Sequence, residues 1–144
     1  KGGPRRAPPR SGVRGRRLAL RKPRRLRPGA VIGVAAPASP FDRESFERGV
    51  QALRAMGFKT AIPEGLSAAQ GYLAGSDEHR AALLQRLFED ERVDAVACAR
   101  GGYGCMRILP LLDYERIAAH PKVLIGFSDA TGWLRSAEFP RNQT

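Results

Sequence analysis

Two short segments of this chain combine residue types that suit acyl-transfer chemistry. The first is Val123-Leu124-Ile125-Gly126-Phe127-Ser128-Asp129-Ala130-Thr131, an apolar run that ends in a hydroxyl flanked by small residues. A nucleophilic serine needs a sharp strand-to-helix turn, so that its Oγ points outward and the next backbone N–H faces the developing oxyanion. Gly126 and Ala130 stand at −2 and +2 from Ser128, where bulk would clash. This is a partial match to G-x-S-x-G, with Ala for the second Gly. The second segment, Arg100-Gly101-Gly102-Tyr103-Gly104, follows another apolar run and offers backbone N–H groups that could hold an oxyanion. Each feature has a plainer reading. A serine before a helix commonly serves as its N-cap, and a glycine often serves only a positive φ angle.

Other chemistries have less support. Arg-Gly-Gly-Tyr-Gly lacks the Lys-Ser/Thr of a Walker A loop and is not the G-x-G-x-x-G dinucleotide fingerprint. Cys98 and Cys105 are the only cysteines, without CxxC spacing or a nearby His pair, so no metal, redox motif or cofactor is expected. Cys98, inside an apolar run, reads as a buried small hydrophobe. His79 falls in the polar first turn of a helix and His120 precedes a proline, positions that suit surface or capping roles better than a general base.

The elements that must position these segments alternate. Val31 to Ala36 is a short apolar run closed by Pro37, as expected for a strand buried on both faces. Phe46, Val50 and Leu53 recur at i, i+4 and i+7, which predicts an amphipathic helix from Arg43 to Met56 with Gly57 as its C-terminal signal. Phe58 to Ile62 reads as a second strand. Ser76 or Asp77 can cap a helix whose buried face carries Ala81, Leu84 and Phe88, and Asp94 to Ala99 reads as a third strand. Met106 to Leu111 begins a helix broken at Pro110, Asp113 caps Tyr114 to Ala119, Val123 to Gly126 is a fourth buried strand, and Ala130 to Leu134 starts a helix. Four strand–helix alternations predict an α/β fold, a mostly parallel Rossmann-like sheet flanked by helices. In such sheets ligands bind beyond the carboxyl ends of the strands, where both segments fall.

Charge divides the chain unevenly. Lys1 to Ala30 holds 12 of the 25 Lys and Arg and none of the 14 Asp and Glu, so the net charge of +11 belongs to this segment and the remainder is near neutral. Rich in Arg, Pro and Gly, it is expected to be a disordered basic tail. A solvated extension or a misplaced start codon explains it; contact with a polyanion or a targeting role are alternatives. Without an aromatic residue for base stacking, nucleic acid is not the expected partner. Arg16-Arg17 and Arg24-Arg25 look like twin-arginine signals, but no hydrophobic stretch follows. With no signal or membrane-spanning run, the expected compartment is the cytoplasm.

Taken together, Val34-Ala35-Ala36-Pro37-Ala38-Ser39-Pro40, Arg100-Gly101-Gly102-Tyr103-Gly104 with Arg107-Ile108-Leu109-Pro110, Leu112-Asp113-Tyr114, and the run from Pro121 to Thr131 resemble the LD-carboxypeptidase family. That family comprises serine peptidases of murein tetrapeptides and the related microcin C immunity peptidases. The resemblance covers Val31 to Leu134. It implies that Ser128 attacks the carbonyl between an L-centre and a terminal D-alanine in cytoplasmic peptidoglycan recycling. The N–H of Asp129 and one from Gly101-Gly102 would hold the oxyanion. It also implies a His, oriented by a Glu, in a C-terminal domain, and homodimers among full-length members. No residue here matches that Glu or His. The expected organisation is therefore a tail over 1–30, an N-terminal α/β domain over 31–134 truncated before the C-terminal domain, and an unstructured or divergent end over 135–144. Such a chain would be inactive or nearly so by itself. A non-catalytic peptide- or anion-binding α/β module and nucleic-acid contact through the tail are the other function classes.

Overall fold

The computed structural model describes residues 22–131. Its order is β1 (Val31–Ala35), α1 (Arg43–Ala55), β2 (Lys59–Ala61), α2 (Asp77–Glu89), β3 (Ala95–Cys98), α3 (Cys105–Ile108), a 3₁₀ turn (Leu109–Leu111), α4 (Tyr114–Ala119) and β4 (Val123–Ile125). All three strand pairings are parallel, in the order β2-β1-β3-β4. The α/β alternation read from the sequence is the fold observed.

Caps explain where the helices begin. Asp42, Ser76 and Asp113 have extended backbones, and each side chain accepts the N–H three residues on, from Ser45, His79 and Arg116. Helix α1 ends at Ala55 with Met56 as C-cap, and Gly57 takes the left-handed φ of +87° that ends it. Its expected face is present, with Val50 buried and Phe46 and Leu53 half-buried. In α2 the expected Ala81, Leu84 and Phe88 are buried alongside Leu83, Leu87 and one charged residue, Arg80.

Alternation along β1 feeds two cores. Ala35 belongs to a cluster with Leu84, Leu87, Phe88, Val96 and Ile108, whereas Val34 and Ala36 belong to a second with Leu66, Ala74 and Leu83. β1 and β3 are the central strands of the sheet, and β1 is buried on both faces.

Several expectations need correction. The fourth strand is not buried on both faces: β4 is the edge of the described sheet, with Ile125 47% exposed, because apolar composition alone does not report a strand's rank in the sheet. Cys98, expected to be buried, is half-buried at the end of β3, one residue past the last pairing with β4. The piece expected as a helix over Met106 to Leu111 starts one residue earlier and tightens into the 3₁₀ turn, with Pro110 in that turn. Beside the expected boundary between tail and domain, Gly29 N–H donates to the Gly57 carbonyl at 2.7 Å and Lys59 N–H to the Ala30 carbonyl at 2.9 Å. Residues 1–21 of the basic tail, and 132–144 with the end of the expected last helix, lie outside the described residues. Among those described, no helix is long and apolar enough to cross a membrane.

Candidate active site

The register of β3 and β4 brings the two segments together. Ala97 pairs with Ile125, so both strands run out at one edge of the sheet and their following turns meet there. A Cβ placed on Gly101 would lie 2.7 Å from the Cβ of Ser128, 3.0 Å from the Phe127 carbonyl oxygen and 3.3 Å from Ser128 Oγ. Only glycine lets this turn approach the serine so closely, which is a requirement of space rather than of φ. Gly102 has a φ of +114°, and a Cβ there would strike Ser39 Oγ. Ser39 also accepts the Tyr103 N–H at 3.2 Å, so the loop after β1 fastens the glycine turn on its other flank.

Ser128 itself is exposed and has a φ of +58°; among the described residues it is the one non-glycine with positive φ. A left-handed backbone at a residue with a Cβ costs on the order of 1–2 kcal/mol. The capping alternative does not fit. The three capping side chains of this fold sit at φ −70°, −62° and −85° and accept an amide, whereas the Ser128 side chain hydrogen-bonds to none of the described residues. Its carbonyl, not its Oγ, accepts the Thr131 N–H at 2.9 Å. The small flanking residues have a cause as well: a Cβ on Gly126 would lie 3.0 Å from Ala130 Cβ and 3.3 Å from Cys98 Sγ, and Ala130 is buried.

Asp129 contributes more than the amide the sequence suggested. Its Oδ2 accepts the Cys105 N–H at 2.6 Å, tying the serine bend to the start of α3 just past the glycine turn. Burial, followed by the charge of Asp129, pushes the Cys105 thiol up to about 12; burial alone pushes Cys98 up to about 11. Both cysteines are free thiols held neutral near pH 7.

The sequence reading missed Arg80. It is 1% exposed, and its guanidinium donates to the Gly75 carbonyl at 3.2 Å, the Pro37 carbonyl at 2.5 Å and the Gly104 carbonyl at 2.8 Å. Asp77 balances its charge and also holds Arg107, at 2.9 Å between Nη2 and Oδ2. The hydrogen bond from Arg107 is the main reason the Asp77 carboxyl lies below its ordinary value. One buried cation thus gathers the loop after β1, the loop before α2 and the glycine turn. The available signal was its spacing: Arg80 precedes Leu84 by four and Leu87 by seven, on the apolar stripe of α2.

Neither histidine approaches the serine. His79 Nε2 is 2.9 Å from the Gly65 carbonyl and His120 Nδ1 is 2.9 Å from the Arg116 carbonyl. Among the described residues no group of three His, Cys, Asp or Glu could hold a metal. A groove of about 1000 Å³ between α1 and residues 62–67 includes neither Ser128 nor Gly101, so the candidate site is the open sheet edge and not this groove. The arrangement is an exposed serine on a left-handed backbone with the glycine turn packed against it.

Residues 32–138 match the family model for the LD-carboxypeptidase N-terminal domain, peptidase S66. The chain belongs to the LD-carboxypeptidase family. It is 41% identical over 110 residues to the "Probable murein peptide carboxypeptidase" of Bacillus subtilis, covering 76% of this chain and 34% of that protein. It is 39% identical over 99 residues to the "Murein tetrapeptide carboxypeptidase" of Pseudomonas aeruginosa, covering 68% and 32%. Among solved structures, the microcin C7 self-immunity protein MccF in complex with aspartyl sulfamoyl adenosine superposes with a TM-score of 0.76 at 30% identity, over 83% of this chain and 36% of that one. The LD-carboxypeptidase chain therefore spans about a third of the length of the relatives it matches.

Proposed function

We propose that this chain carries the nucleophile half of a serine-type LD-carboxypeptidase site, which removes a terminal D-amino acid from murein tetrapeptide. Ser128 Oγ attacks the carbonyl before the D-residue, and the N–H groups of Asp129 and of Gly101 or Gly102 receive the oxyanion. The leaving amine departs and water releases the acyl group from Ser128. A single such donor is worth about 10²–10³ in rate. The observation that carries the reading is the +58° φ of Ser128 with its Oγ beside Gly101. Murein carboxypeptidases among the relatives supply the substrate class. Two free cysteines suit a reducing compartment, so we assign the reaction to the cytoplasm.

No base contacts Ser128 among the described residues, and a serine without its base loses most of its acceleration. Release of D-alanine by this 144-residue chain is therefore expected to be near background. A fluorophosphonate ending in a D-alanine mimic should still label it slowly, with the adduct mapped to Ser128 by mass spectrometry and absent from Ser128→Ala. Labelling that persists in Ser128→Ala, or never reaches Ser128, would overturn the assignment.

A further inference from the structure

We infer that Arg100 receives the free α-carboxylate of the substrate and so selects a chain end over an internal peptide bond. This rests on Ser128 as the nucleophile. A site that acts on the last residue must distinguish a carboxylate from an amide, and bringing a carboxylate out of water is costly unless a cation meets it. Three arginines flank the glycine turn. Arg80 is buried and spent on Asp77 and three carbonyls, and Arg107 is engaged at both Asp77 oxygens. Arg100 is exposed, makes no ion pair among the described residues, and uses its guanidinium for one bond, to the Pro40 carbonyl at 3.1 Å. The rest of its planar fork is free, and that fork matches a carboxylate in shape and charge.

Position agrees with charge. Gly101 faces Ser128 on the β4 side of the turn, while Gly102 and Tyr103 meet Ser39 on the β1 side, where Arg100 reaches Pro40. Neighbouring strands stand about 4.8 Å apart. In a peptide the terminal carboxylate carbon is three bonds from the carbonyl carbon that precedes it, on the order of 3–4 Å, and a charge-assisted hydrogen bond spans about 2.8 Å more. A substrate with its carbonyl at Ser128 and its last residue directed toward β1 brings its carboxylate to Arg100. Gly101 and Gly102 place no side chain between the two.

The test is a titration of the chain with L-Ala-D-Glu-L-Lys-D-Ala and with the same peptide ending in a carboxamide, followed by amide NMR shifts. The acid is expected to bind about tenfold or more tighter than the carboxamide, as for a hydrogen bond to a charged group. Arg100→Gln should erase that preference and Arg100→Lys should keep part of it; circular dichroism is expected to be unchanged because the residue is exposed. Equal affinity for the two peptides, with shifts at Gly101, Gly102 and Asp129, would remove Arg100 from the role and leave the serine site standing. So would a preference that survives Arg100→Gln. Absence of binding by either peptide would overturn both this inference and the reading of the site.

Discussion

The carboxylate of Asp129 and the backbone N–H of Cys105 meet at 2.6 Å, closing a loop of chain that holds the serine bend against the glycine turn. Asp129→Ala leaves that amide without its charged acceptor, a loss of about 1.5–3 kcal/mol. Urea denaturation should record it. Asp129→Asn keeps an acceptor and should cost less, and by removing a negative charge it should lower the Cys105 pKa from about 12. Ellman kinetics against pH on the Asn variant would follow the thiol; a Cys105 pKa that does not fall would contradict the contact.

Ser128→Gly should stabilise the fold. Glycine adopts φ +58° without a Cβ penalty, so the midpoint of thermal unfolding should rise by an amount equivalent to about 1 kcal/mol. Ser128→Ala retains the Cβ and should not gain. A Gly variant less stable than wild type would restore the serine to a capping role.

Arg80 is where a side-chain deletion should hurt most. Arg80→Met strands the Pro37, Gly75 and Gly104 carbonyls and leaves the partly buried Asp77 with Arg107 alone. Each buried carbonyl left without its donor costs about 1–3 kcal/mol. Chemical denaturation reads the loss, and NMR shifts at Gly104 should move first. A loss below about 1 kcal/mol, as for an exposed pair, would show that the network contributes little.

Acid should weaken the fold in a definite window. Hydrogen bonds from the Arg92 side chain and then its backbone draw the Asp90 carboxyl from 3.8 to about 2, and Arg107 draws Asp77 down as well. A carboxyl with a depressed folded pKa contributes stability that is whole above its ordinary value and is lost as pH falls through the folded one. Urea midpoints should therefore decline between pH 3.8 and about 2. The decline should be shallower in Asp90→Asn and Asp77→Asn; an unchanged slope in both variants would assign acid sensitivity elsewhere.

Much of the fold was legible because its signals are local. Asp42, Ser76 and Asp113 announce helices through hydrogen bonds that span three residues, and Phe46, Val50 and Leu53 repeat with the helical period. Gly126 and Ala130 could be read as small by requirement, since the nucleophile turn itself demands it. The burial of β4 was misjudged because Val-Leu-Ile is equally apolar at the centre and at the edge of a sheet. Arg80 was passed over because an arginine within a helix is ordinarily solvated, and its acceptors lie 5, 24 and 43 residues away.

By itself, the order of residues determined the alternation of strands and helices, the chemical character of Ser128 and the glycine turn, and the family to which both belong. Only the tertiary structure decided that Gly101 packs against Ser128, that Ser128 carries the left-handed backbone, that Asp129 ties the serine bend to the start of α3, and that Arg80 gathers the glycine turn with the loops after β1 and before α2. The reason is range. Periodicity and capping act within a turn of helix or a step of strand, whereas register between β3 and β4 and the neutralisation of a buried cation depend on groups that meet only when the sheet has formed.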